Sequence, residues 1–215
     1  MQIFAKRTLL VWTVILAIAV TVVPVEAVER ARLSPGDVGE LNRIQTYLNE
    51  ITTLESRFVQ NNPDGTFSAG KLYIRRPGFL RFEYDPPVPH LLVADGSWFI
   101  HIDKELKQAT RYPLSHTPAY FLLREVISFR DGLIVTGLKR GPSVLRVSLV
   151  ESRVPDAGSI TLTFSERPFE LRKWAVFDAQ GLETEVTLVN ARFGGSLDED
   201  LFDVVDPSTD EAEGE

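Results

Sequence analysis

The sequence contains no cysteine. That excludes thiolate metal sites, cysteine nucleophiles and disulfides, and it means that this chain cannot itself carry lipid on a cysteine. The three histidines, His90, His101 and His116, stand apart from one another, with no HExxH or paired-histidine spacing. There is no GxSxG elbow and no phosphate-binding loop, since Gly194-Gly195-Ser196 lacks the lysine and the flanking pattern. Glu83 and Asp85 lie two apart on a strand-like stretch, where solvated charges are the ordinary reading. No catalytic residue, metal or cofactor is therefore expected, and the chain does not read as an enzyme. An excess of positive charge is missing too. The net charge is −7, but residues 198–215 hold nine acidic residues and no basic one, while residues 28–197 hold 21 basic and 20 acidic. A nearly neutral body offers no electrostatic field for nucleic acid or an anionic lipid surface.

What is present begins with a targeting segment. Lys6 and Arg7 precede an apolar run over residues 8–23, and Val25-Glu26-Ala27 fits a cleavage site. Residues 1–27 thus read as a cleaved secretory signal, which places the mature chain outside the cytoplasm. An uncleaved membrane anchor is the alternative reading of the same run. No second apolar run is long enough to span a bilayer. Residues 28–205 are expected to form one domain, and residues 206–215 an acidic, disordered end.

In GDVGELNRIQTYLNEITTLE, apolar residues recur at three- and four-residue steps from Val38 to Leu54, which predicts an amphipathic helix over about residues 38–53. From Ser56 the period changes to two. About ten strand-like segments follow, separated by Asp-Gly and similar turn signals; residues 97–113 read as a single strand. Long helices between strands are missing. The fold class expected is mainly β: a curled antiparallel sheet forming an incomplete barrel, with an N-terminal helix and a short lid helix.

Alternation assigns one apolar face to the sheet. It takes Leu72 and Ile74 from one strand, then Leu80, Phe82 and Tyr84, then Trp98, Ile100 and Ile102. Further along it takes Leu145, Val147 and Leu149, then Ile160, Leu162 and Phe164, then Trp174 and Val176. His101, between Ile100 and Ile102, would face outward. Residues 115–129 break the strand pattern. Thr117 suits a helix N-cap and Pro118 the first helical position. The following Tyr120, Phe121, Leu122 and Leu123 cover most of a helix circumference, so apolar surface must lie on more than one side. The curled sheet then either leaves an apolar binding cavity or is filled by these helices and side chains.

Five stretches together resemble the outer-membrane lipoprotein carrier proteins of the LolA type. They are SRFVQ at 56–60, SAGKLYIRRPGFLRFEYDPP at 68–87, LLVADGSWFIHID at 91–103, QATRYPLSHTPAYFLL at 108–123 and WAVFDAQGLETEVTLVN at 174–190. Their order matches the family pattern over most of residues 38–205. The resemblance implies a periplasmic shuttle, acting as a monomer. It would take acylated lipoproteins from an inner-membrane ATP-driven release complex and pass them to an outer-membrane acceptor. It also implies a lid held shut by the arginine of the Arg-Pro motif, here Arg76. Two departures stand out: the acidic end is an addition, and Phe79-Leu80-Arg81-Phe82 replaces a tryptophan-centred version. A lipid-binding or lipid-sensing half-barrel not dedicated to lipoprotein transfer, and a scaffold with a filled core, fit the same residues.

Overall fold

The computed structural model describes residues 28–204. The signal-like segment 1–27 and the acidic end from residue 205 lie outside the described residues. A single helix, α1 (Pro35–Glu50), precedes eleven strands. These are β1 (Thr53–Asn61), β2 (Phe67–Arg75), β3 (Phe79–Tyr84), β4 (His90–Asp95), β5 (Trp98–Asp103), β6 (Gln108–Pro113), β7 (Leu133–Arg140), β8 (Val144–Glu151), β9 (Gly158–Glu166), β10 (Phe169–Asp178) and β11 (Glu183–Phe193). One helical turn, α2 (Tyr120–Leu123), lies between β6 and β7.

All neighbouring strands pair antiparallel, in the order β6-β5-β4-β3-β2-β1-β11-β10-β9-β8-β7. The sheet is unclosed, with β6 and β7 at its two edges. Its curl is visible in the core: residues of β3 and of β8 to β10, far apart in the strand order, share one buried cluster. The rings of Phe82 on β3 and Trp174 on β10 lie 6.4 Å apart, edge to face.

Helix α1 lies across this concave side and buries Leu41, Ile44 and Leu48. It starts earlier than its apolar period indicates, because Ser34 and Asp37 close a reciprocal cap: Asp37 N–H donates to Ser34 Oγ at 3.2 Å and Ser34 N–H to Asp37 Oδ2 at 2.8 Å. Pro35 sits at the first turn, where its missing N–H costs nothing. Tyr47 fixes the helix to β9 and β10. Its ring meets Phe164 and Phe169 edge-on, and its hydroxyl accepts from Leu171 N–H at 3.0 Å.

The sheet has one strand more than the sequence suggests, because residues 97–113 form the hairpin β5–β6 rather than one strand. Its turn carries no glycine; Lys107 takes the left-handed conformation, φ 52°, that glycine usually fills. A second apolar cluster of Leu91, Val93, Ile100 and Ile102 lies on the opposite, convex face. The chain after β11 returns over that face through a 3-10 turn, Glu199–Phe202, with Val204 packed on the cluster. Among the described residues no helix is long and apolar enough to cross a membrane.

Candidate functional site

The link between the sheet edges, residues 114–132, crosses the open side of the curl. It consists of a 3-10 turn at Leu114–His116, the turn α2, and an extended stretch through Ile127 and Phe129. Phe121, Leu122, Leu123, Ile127 and Phe129 are buried against the concave core, and Tyr120 is partly buried. The helical turn begins later than expected. Thr117 does not cap it; its hydroxyl donates back to Leu114 C=O at 2.8 Å, closing the preceding turn.

Polar groups tie this link down from one side. Arg76 follows directly on β2 and extends under the link. Its Nε donates to Arg124 C=O at 2.7 Å and its Nη2 to Glu125 C=O at 3.1 Å. Its Nη1 donates to Leu48 C=O and, at 3.0 Å, to Ile51 C=O. The last carbonyls of a helix lack intrahelical partners and carry the negative end of its dipole. Helix α1 has no basic residue in its last turn, so Arg76 supplies that cation from β2. Burial lowers the guanidinium pKa below its ordinary value. A half-buried guanidinium is tolerable here because its donors are satisfied by carbonyls of two separate segments.

Two amides of α1 extend the seam. Asn49 Nδ2 donates to Ile127 C=O at 2.8 Å and Asn49 Oδ1 accepts from Ile127 N–H at 2.9 Å, while Gln45 Oε1 accepts from Phe129 N–H at 3.0 Å. Gly78 N–H donates to Leu123 C=O at 2.8 Å. Gly78 has φ +89°, and a Cβ there would stand 2.8 Å from Gly96 Cα, so this turn requires glycine. On the other side, the Arg124 side chain pairs with Glu151 at the end of β8 and lies over the Tyr120 ring, 5.1 Å from its centre. Nothing in the sequence pattern marks Gly78, Arg124 or Glu151; the four-residue spacing of Gln45 and Asn49 beside the apolar stripe is the one signal for the two amides.

Most residues assigned to the apolar face come together beneath this link. Leu72, Ile74, Leu80, Phe82, Leu145, Val147, Ile160, Leu162 and Phe164 belong to one buried cluster, and Tyr84 packs on it. Trp98, Ile100 and Ile102 are corrections. Phe82 pairs with Leu92, and Leu92 with His101, so His101 faces the concave side. Ile100 is instead 2% exposed within the convex cluster, and Trp98 is 44% exposed. Alternation separates the two faces of β5 but assigns them the wrong way round, because its apolar face packs on the convex face of β4, against Leu91 and Val93, while His101 and Asp103 face inward. His101 Nε2 lies 3.2 Å from His90 Nδ1, with Asp103 Oδ2 3.8 Å from His90. Among the described residues no group of three or more acidic or histidine side chains is arranged to hold a metal ion.

The spaces directly beneath the cover are small. Beneath Arg76, between Leu48, Ile74, Leu122 and Trp174, the free space is about 20 Å³, little above the ~10–15 Å³ that admits one water. A second recess of about 50 Å³ lies between Phe121, Leu133, Leu149 and Ile160. An acyl chain fits neither unless the 114–132 link moves. The arrangement is an apolar half-barrel, a cover, and a set of polar ties at the margin of the cover.

A family model described as "Outer membrane lipoprotein carrier protein LolA" matches residues 49–205. A protein of Pseudomonas aeruginosa named "Outer-membrane lipoprotein carrier protein" is 28% identical over 175 residues, 77% of this chain and 83% of its own length. One of the same name from Azotobacter vinelandii is 27% identical over 182 residues, 80% of this chain and 87% of its own. The crystal structure of a LolA superfamily protein from Nitrosomonas europaea, 10% identical, aligns with a TM-score of 0.43 over 76% of this chain and 97% of that one.

Proposed function

The chain belongs to the outer membrane lipoprotein carrier protein LolA family, and from that premise we propose that it is a periplasmic carrier of acylated lipoproteins. It takes cargo from an ATP-driven release complex at the inner membrane and delivers it to an acceptor at the outer membrane. Residues 1–27 serve as the export signal. The cargo's acyl chains occupy the concave face, against Leu72, Leu80, Phe82, Val147, Leu162 and Phe164, once the 114–132 link has swung away.

The observation that carries this reading is the double attachment of Arg76, to the end of α1 and to the link. Such ties are strong enough to hold a cover and weak enough to yield to lipid. A hydrogen bond to a charged group contributes about 1.5–3 kcal/mol. Each buried methylene contributes about 0.8 kcal/mol, so a chain of about a dozen is worth roughly 10 kcal/mol. Acyl chains therefore open the cover, and without them it closes again. An apolar half-barrel left open in water would aggregate, which is why a carrier needs a cover at all.

The test is a release-and-transfer assay with inner- and outer-membrane vesicles. The expected result is a soluble complex of carrier and acylated lipoprotein that discharges to outer-membrane vesicles. Co-purification of free lipids without any lipoprotein would instead favour a lipid-sensing half-barrel.

A further inference from the structure

We propose that the Arg124–Glu151 ion pair is a second latch of the cover, on the side opposite Arg76. Its function is to make opening all-or-none by tying one residue of the cover to both halves of the half-barrel. The proposal rests on the carrier reading above.

Arg124 is held at two ends. Its carbonyl accepts from Arg76, which belongs to the β2 side. Its guanidinium pairs with Glu151 at the end of β8. In the strand order β1, β11, β10 and β9 separate those two strands, so a single residue bridges the mouth of the curl. The Arg124 and Glu151 side chains are only 15% and 24% exposed. The site is shaped around the pair. The Tyr120 ring covers the guanidinium, and Gly132 backs it: a Cβ there would stand 3.3 Å from Arg124 Nη1 and 3.6 Å from Glu151 Oε1. Gly132 also has φ +75°, which disfavours any side chain.

One feature fits a latch better than a fixed structural pair. Arg124 Nε is buried and has no hydrogen-bond partner. A buried donor without an acceptor opposes the closed arrangement, so the pair with Glu151 offsets that cost only while it is intact. Once it parts, the guanidinium loses its ion-pair partner on β8 and keeps only the Tyr120 ring and the charge of Asp131, both carried by the cover's own segment, so the partly buried charge favours moving outward. Losing either hold on Arg124 therefore weakens the other.

The experiment is amide hydrogen exchange on the purified protein without cargo, so that failure of the carrier reading leaves the result unaffected. Glu151→Gln and Arg124→Gln are each expected to speed exchange across residues 119–127 by about tenfold or more, with α1 amides between Leu41 and Leu48 unchanged. The double variant is expected to exchange no faster than the quicker single one, since both remove the same interaction. Glu151→Asp, which keeps the charge but shortens its reach, gives an intermediate rate and serves if the glutamine variants do not fold. Unchanged exchange at 119–127, effects that multiply in the double variant, or an equal rise throughout the chain would overturn the proposal.

Discussion

Arg75 and Arg76 are adjacent in the chain and serve opposite faces of the sheet. The Arg75 guanidinium lies on the convex side, 4.5 Å from the Phe79 ring centre and 4.8 Å from that of Phe202, where it fastens the chain after β11. Arg76 lies on the concave side and holds the cover to α1. The Arg-Arg-Pro sequence thus secures two different segments at the end of one strand.

The pair makes a controlled comparison. Arg76→Leu removes hydrogen bonds of about 1.5–3 kcal/mol each from the closed form and adds apolar surface. It is expected to take up lipoprotein at least as well as the wild type and to transfer it poorly. Arg75→Leu is expected to transfer normally while exchange rises at residues 199–204. Transfer measured with both variants checks this, and equal defects would show that the gate lies elsewhere.

Gly70 should not tolerate a side chain. It lies opposite Tyr84 in the β2–β3 pair, and a Cβ there would run into the Glu83 carbonyl and stand 2.7 Å from the Phe58 ring. Phe58 is fully buried among Phe82 and Tyr84, so it has no room to retreat. Gly70→Ala is expected to lower stability by about 1–3 kcal/mol, read from urea denaturation. Gly39→Ala, where a Cβ meets nothing within 4 Å, is the control and should be neutral or slightly stabilising.

The histidine pair predicts a pH dependence. Burial, aided by the neighbouring His90, holds the His101 pKa below its ordinary 6.5. The unfolded chain therefore takes up a proton near pH 6.5 that the folded chain still refuses. The contribution of His101 to stability should be fully present above that value and be lost as pH drops through 6.5 towards the folded pKa. Asp103 opposes the shift without cancelling it. Denaturation midpoints at pH 7.5 and pH 5.0 should differ for the wild type and differ less for His101→Gln; an unchanged difference would contradict the assignment.

How much was legible depended on what each segment contacts. β2 and β3 alternate apolar residues with Lys71, Tyr73, Arg81 and Glu83, so alternation places Leu72, Ile74, Leu80 and Phe82 on the apolar face. β4 is apolar on both faces, and β5 buries its one apolar face on the convex side, against Leu91, Val93 and Val204, which no local pattern reveals. The hairpin between them and β6 was hidden because Lys107 stands where a glycine would have signalled the turn. The apolar stripe marks α1, but the helix starts at a Ser34–Asp37 cap upstream of that stripe. The resemblance pointed to Arg76; its partners at both ends of the seam, Leu48 and Arg124, are backbone carbonyls and leave no mark in side-chain chemistry. Whether the half-barrel is filled or open is a matter of volume, which periodicity does not contain.

The central claim is that acyl chains displace the cover from the concave face. The most direct measurement is hydrogen exchange at residues 119–127 with a triacylated lipopeptide and with the same peptide lacking its acyl chains. Binding by the acylated form alone, with loss of protection at 119–127, is the predicted result. Equal binding of both peptides, or binding that leaves the cover fully protected, would contradict it.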